Sequence, residues 1–176
     1  MLQIYDDQHR RIAGIDDPDD LKIEKTLSSG DKQISFSYPK TGSEIENLRA
    51  EYYIRTKDDE YVLKEISTGE NKNSYVAQLN IEELESQEFL YGFESVTQTA
   101  RACLEFAFDG TGWTVGNCTV TKRRTVSIDE TCNAWDVLQE VMDTYRCECK
   151  IDSIQKKIDL YAVSYTHLTL PTILRV

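Results

Sequence analysis

The sequence predicts an α+β fold, with a β-rich first half followed by two helices and a β-hairpin. Three observations carry this. Apolar and polar residues alternate through the first half. Turn-forming residues interrupt that alternation at short, regular intervals. From Thr97 onward the apolar spacing shifts to three and four residues, the period of a helix. A chain of 176 residues that is 40% hydrophobic has enough apolar surface for a core and suits one domain or two small ones.

The strands come first. "LQIYD" alternates, "DQHR" turns, and "RIAGI" resumes the alternation. "DDPDD" at Asp16–Asp20 reads as an acidic loop. "LKIEKTL" and "KQISFSYP" flank "SSGD", which is a hairpin signal. In the second arm Ile34, Phe36 and Tyr38 share a face, and Pro39 ends the strand. "EIENLRAEYYIRTKDDEYVLKEIST" places two more apolar runs around the turn "KDDE", and "NSYVAQLNI" adds another strand. The sum is a meander or small barrel-like sheet, assigned to residues 1–90.

Residues 91–162 form the second predicted unit. In "TQTARACLEFAFDGTGW", Ala100, Cys103, Leu104 and Ala107 fall at helical spacing, with Thr97 as cap and Gly110 as stop. "GWTVGNCTVTKRRTVSID" returns to alternation. "NAWDVLQEVMDTYRCECKID" gives the clearest helix, striped by Ala134, Val137, Leu138, Val141, Met142 and Tyr145. Asn133 reads as its N-cap, with Asp136 near the positive helix end. Cys147, Cys149 and Ile151 then alternate on a strand, "DSIQKK" turns, and "IDLY" pairs back into a β-α-β-β unit.

Composition narrows the function classes. With 20 basic and 31 acidic residues the net charge is −11, and the densest cationic run is only "TKRR" at Thr121–Arg124. Nucleic-acid binding is therefore not expected. No apolar run is long enough for a membrane helix, and "MLQIYDDQHRRIAG" lacks the pattern of a signal peptide, so synthesis in a cytoplasm is expected. Five cysteines, without CxxC spacing, argue against structural disulfides.

The chemistry-bearing residues do not assemble into a recognisable centre. The histidines are His9, in a polar turn, and His167. His9 reads as a surface residue, which leaves no base for a Ser or Cys nucleophile. Cys147 and Cys149 are separated by a single residue, too tight for a usual zinc pair, and read as core sulfurs. Carboxylates are abundant at Asp16, Asp17, Asp19, Asp20, Asp58, Asp59, Glu82, Glu83 and Glu85, so no single pair stands out as catalytic, and the "DDPDD" run reads as a solvated acidic turn. "DDPDD" lacks the glycine and terminal glutamate of a calcium loop. "DGTGWTVG" at Asp109–Gly116 follows a helix and leads into a strand, so it reads as a helix stop anchored by Trp113, not a phosphate loop. Trp135, at the edge of its stripe, suits core or interface. No catalytic, cofactor-binding or metal-ligating residue is assigned.

The stretches "ACLEFAFDGTGWTVG" and "TVSIDETCNAWDVLQEVMDTYRCECKIDSIQKKIDLY" resemble a known family. It comprises N-terminal regions of siphophage and prophage tail proteins, called prophage tail endopeptidases, tail-associated lysins or phage minor structural proteins. The family shares the "GTGW.VG" turn, the following helix, an aromatic-plus-acidic strand like "YRCECKID" and a hairpin. "MLQIYDDQHRRIAGIDD" suits its opening strands. The resemblance covers most of Met1–Ala162 and is strongest over Gly110–Tyr161. Arg146 departs from the family's usual small residue.

The resemblance implies a baseplate hub at the tail tip of a virion. A homotrimeric ring would close the tail tube, contact the distal tail protein and the tape measure protein, and carry lysin or receptor-binding domains downstream. Catalytic residues, where members have them, lie beyond this region. Two alternatives stand beside it: a fragment of a tail-associated peptidoglycan hydrolase or endopeptidase whose catalytic domain is missing, and a carbohydrate-binding β-module exposing Tyr52, Tyr53 and Tyr61.

The last residues read differently again. Val163–Thr172, "VSYTHLTLPT", matches in frame the translation of a transposon-end adapter used for sequencing libraries. Residues 163–176 are therefore expected to be foreign to the fold, with Tyr165 and Leu168 outside any dense core.

Overall fold

A computed structural model describes residues 1–26 and 30–163. The adapter-like stretch from residue 164 on, including Tyr165, His167 and Leu168, lies outside the described residues.

Seven strands build the first half: β1 (Leu2–Tyr5), β2 (Arg11–Ile15), β3 (Asp19–Lys25), β4 (Lys32–Pro39), β5 (Tyr53–Arg55), β6 (Glu60–Thr68) and β7 (Lys72–Leu79). They pair antiparallel in the order β2-β1-β5-β6-β7-β4-β3. The two outermost strands, β2 and β3, are consecutive in the chain and joined only by residues 16–18. Such a connection spans at most about 14 Å, so the sheet must curl until its edges approach. Its interior is filled by residues at alternate positions, among them Leu2, Ile4, Ile34, Phe36, Ile54, Leu63, Tyr75 and Ala77, all buried. Phe36 stacks on Tyr75 with centroids 5.2 Å apart.

The second half contains α1 (Glu82–Ser86), β8 (Glu88–Phe89), β9 (Phe93–Thr99), α2 (Ala100–Ala107), β10 (Thr114–Cys118), β11 (Arg123–Ile128), β12 (Cys132–Asn133), α3 (Ala134–Tyr145), β13 (Cys147–Asp152) and β14 (Lys157–Ala162). The β13–β14 hairpin gains a third strand because β10 pairs parallel to β14. β9 and β11 form a two-stranded antiparallel ribbon, and β8 pairs with β12. The stripe of α3 is buried as its period requires. Its start is a reciprocal cap: Asp136 N–H donates to Asn133 Oδ1 and Asn133 N–H to Asp136 Oδ2, both at 2.9 Å. Arg146 takes the left-handed conformation just past the helix, with φ of 51°.

The α+β reading holds, with three corrections. Thr97 does not cap α2; it belongs to β9 and has φ of 52°, and Thr99 caps instead, accepting from Ala102 N–H at 3.2 Å. A strand here runs straight into a helix, so no turn residue marks the change. A third, single-turn helix, α1, arises from "EELES". The "DDPDD" loop is shorter than expected, because Asp19 and Asp20 already belong to β3. Among the described residues no helix is long and apolar enough to cross a membrane.

Candidate functional site

The polar groups converge where the curled sheet meets the C-terminal hairpin. The "KDDE" turn starts the convergence. Thr56 Oγ1 accepts from Asp59 N–H at 3.0 Å, and Thr56 N–H donates to Asp59 O at 2.9 Å. This tight turn leaves Asp58 in solvent and folds Asp59 and Glu60 inward, each 3% exposed. Lys32 Nζ donates to both oxygens of Asp59, at 2.7 and 2.8 Å, and to the carbonyl of Ile151 on β13 at 2.7 Å.

Glu60 is held from several sides. Arg55 Nε donates to Oε2 at 3.0 Å, Asn80 Nδ2 donates to Oε1 at 2.9 Å, and His9 Nε2 lies 3.4 Å from Oε1. Its backbone is tied to the hairpin: Glu60 N–H donates to Ser153 Oγ at 2.7 Å, and Ser153 Oγ–H returns to Glu60 O at 3.1 Å. His9 sits at the edge, half-exposed, stacked on Tyr53 at 3.9 Å. At Gly30, in the β3–β4 loop, φ is +76° and an added Cβ would lie 2.6 Å from Cys149 Sγ. The loop approaches β13 that closely only because it has no side chain there.

A second tie joins α1 to the hairpin. Glu83 accepts from Trp113 Nε1 at 3.2 Å and from Lys156 Nζ. Burial pushes the Glu83 carboxyl up, but the hydrogen bonds from Lys156 and Trp113 outweigh it and hold the group below its ordinary value. Trp113 thus anchors its turn, as its position in "DGTGWTVG" predicts. Trp135 is half-buried against the core.

Such an arrangement suits a joint better than a reaction centre. Both oxygens of Asp59 and of Glu60 are engaged by partners that are themselves held. Buried charges persist only when paired this fully. The sulfurs are quiet too: burial pushes the Cys147 thiol up to about 11 and Cys149 to about 12, so neither is a ready thiolate. Among the described residues no group of three His, Cys, Asp or Glu is placed to hold a metal. Asp16, Asp17, Asp19 and Asp20 are not drawn together into a site; Asp20 pairs with Lys72 at 2.7 Å. Tyr61 is 1% exposed and Tyr52 and Tyr53 are half-buried, so these three rings do not form the exposed aromatic face that the carbohydrate-binding alternative asked of them.

The sequence reading missed this seam. Asp58 and Asp59 stand side by side in one acidic turn, yet one is exposed and the other buried. Lys32 and Ser153 carry no local signal, and Ile151 signals only its place on a strand face.

The comparisons with known proteins follow the two halves. Residues 2–83 match the family described as the prophage endopeptidase tail N-terminal domain, and residues 87–160 match the prophage endopeptidase tail domain. The fold is shared with prophage tail protein gp18 from Listeria monocytogenes, at TM-score 0.69 and 14% identity over 92% of this chain and 50% of that one. It is shared with a tail protein from Neisseria meningitidis, at 0.65 and 6% over 93% and 51%. A 43 kDa tail protein of prophage MuSo2 from Shewanella oneidensis gives 0.60 and 12% over 93% and 53%. The chain spans about half the length of these solved proteins. No curated protein sequence matches it significantly. Two consecutive tail domains, on a fold that prophage tail proteins share, mean that this chain belongs to the prophage endopeptidase tail family and is an N-terminal region of a phage tail protein.

Proposed function

We propose that the chain is a structural part of the baseplate hub at the tail tip. In this reading it closes the tail tube as a homotrimer, contacts the distal tail protein and the tape measure protein, and carries lysin or receptor-binding domains downstream. The observation that carries it is the pair of tail-domain matches side by side. The buried seam supports it physically, since a hub that transmits load needs its two units fixed to each other. We assign residues 1–90 and 91–162 to those units and residues 163–176 to foreign sequence. The segment itself performs no catalysis; any hydrolysis of cell wall belongs to the parent protein's remaining chain.

The test is the native mass of the full-length product of the uninterrupted gene. A trimer is expected, and a strict monomer overturns the hub. A cell-wall hydrolysis assay on residues 1–162 alone should give no product; turnover there overturns the structural reading.

A further inference from the structure

The turn between β8 and β9 presents its apolar side chains outward. Tyr91 is 97% exposed and Leu90 62%. The turn is nonetheless fixed. Thr131 Oγ1 donates to Leu90 O at 3.0 Å. Gly92 has φ of +83°, and an added Cβ would sit 2.3 Å from the carbonyl oxygen of Ile128. Behind it Phe89 packs edge-on against Phe93 at 5.1 Å, and Phe93 against Phe106, itself 62% exposed, at 5.6 Å. A rigid aromatic knuckle is costly to leave in water and loses little entropy on docking.

Its rim is acidic. Glu88, Glu94, Asp129 and Glu130 are exposed around it, and residues 88–94 and 127–131 contain no Lys or Arg. Two such knuckles repel each other, so a symmetric knuckle-to-knuckle contact is disfavoured.

The other end of the same ribbon has the opposite character. Lys122, Arg123 and Arg124, the densest cationic run in the chain, are exposed there. A bulge lies between the Arg124–Gln98 and Val126–Ser95 pairs. At that bulge the β-branched Thr97 takes φ of 52°, a rare conformation for such a residue, and Val96 stands 58% exposed. Strained backbone thus displays an apolar side chain beside arginines. From Phe93 to Thr99 the strand runs about 20 Å with Val96 midway, so the arginine end lies well apart from the knuckle.

We infer that the acidic-rimmed Leu90–Tyr91 knuckle of one copy docks on the basic, Val96-centred patch of the next. The contact is head-to-tail, the kind that closes into a ring when the rotation between copies divides a full turn. It rests on the hub reading and names the surfaces that would build its trimer.

The experiment is native mass measurement of the 176-residue chain across a concentration series. The wild type should self-associate, more weakly as salt rises. Tyr91→Ala should raise the dissociation constant about thirtyfold or more. The pair Arg123→Glu and Arg124→Glu should do likewise. All three residues are exposed, so circular dichroism should show an unchanged fold. Mixing the Tyr91→Ala chain with the Arg123→Glu/Arg124→Glu chain should give 1:1 dimers and nothing larger, because one intact knuckle meets one intact patch. Oligomers unchanged in both variants, or no dimer on mixing, overturn this contact and leave the hub standing. A monomeric wild-type chain beside a trimeric full-length protein does the same. A monomeric full-length protein overturns both.

Discussion

The two halves of the molecule solve the burial problem in different ways. The first half wraps one seven-stranded sheet around a single apolar interior, with its outermost strands brought together. The second half packs three helices against a three-stranded sheet and two pairs of strands, and leaves Leu90, Tyr91, Val96 and Phe106 in solvent. A curled sheet satisfies most of its own backbone groups, whereas a two-stranded ribbon keeps both outer edges open. The difference is one of degree: the sheet leaves Ile12, Leu21, Ile23 and Ile66 partly in solvent, whereas the second unit presents Leu90, Tyr91, Val96 and Phe106 more fully and so offers the larger apolar contacts to another surface. They share one apolar core, and beside it runs a seam that is polar, specific and buried.

That contrast can be broken first at the seam. Lys32→Met leaves Asp59 buried without its partner, and should cost about 3–5 kcal/mol in chemical denaturation. Combining it with Asp59→Leu should recover much of that loss. If the single and double variants are equally unstable, the pair is not what joins the halves. Core truncations come next. Leu63→Ala in the sheet and Leu138→Ala in α3 should each cost about 2–5 kcal/mol, since both residues are fully buried. Because the seam couples the halves, both variants should unfold in one transition followed by Trp fluorescence and by circular dichroism alike. Separate transitions would show two independent units.

Smaller effects sharpen the picture. Asn133→Ala removes half of the reciprocal cap of α3 and should cost about 1 kcal/mol. The Glu83 tie should respond to pH. Its carboxyl is held below its ordinary value of 4.5, so its contribution is present above pH 4.5 and is lost as pH falls through the lower folded value. Glu83→Gln should therefore be less stable than wild type at neutral pH and equal to it in strong acid. A difference that persists unchanged at low pH would assign the effect to packing instead.

Much of the fold was legible because its signals are local. The Asn133–Asp136 cap, the α3 stripe and the hairpin turns all lie within a few residues of what they control. β9 was misread because "ESVTQT" has polar outward positions and enters α2 without a turn. α1 is a single turn and leaves no period to detect. The seam was illegible for a different reason: Lys32 meets Asp59 across 27 positions and Ile151 across 119. Nothing near Lys32 or Asp59 distinguishes a buried charge from a solvated one. The knuckle lay in plain sight as "EFLYGF", but exposure is a property of packing and not of the letters.

The proposal that this chain is a structural piece of a phage tail tip fixes where the protein sits in the virion. It is tested most directly by electron microscopy of virions induced from the host, labelled with gold-tagged antibody raised against residues 1–162. Label is expected at the end of the tail distal to the head. Label on the head or along the tube, or virions that carry none of the protein, would contradict it.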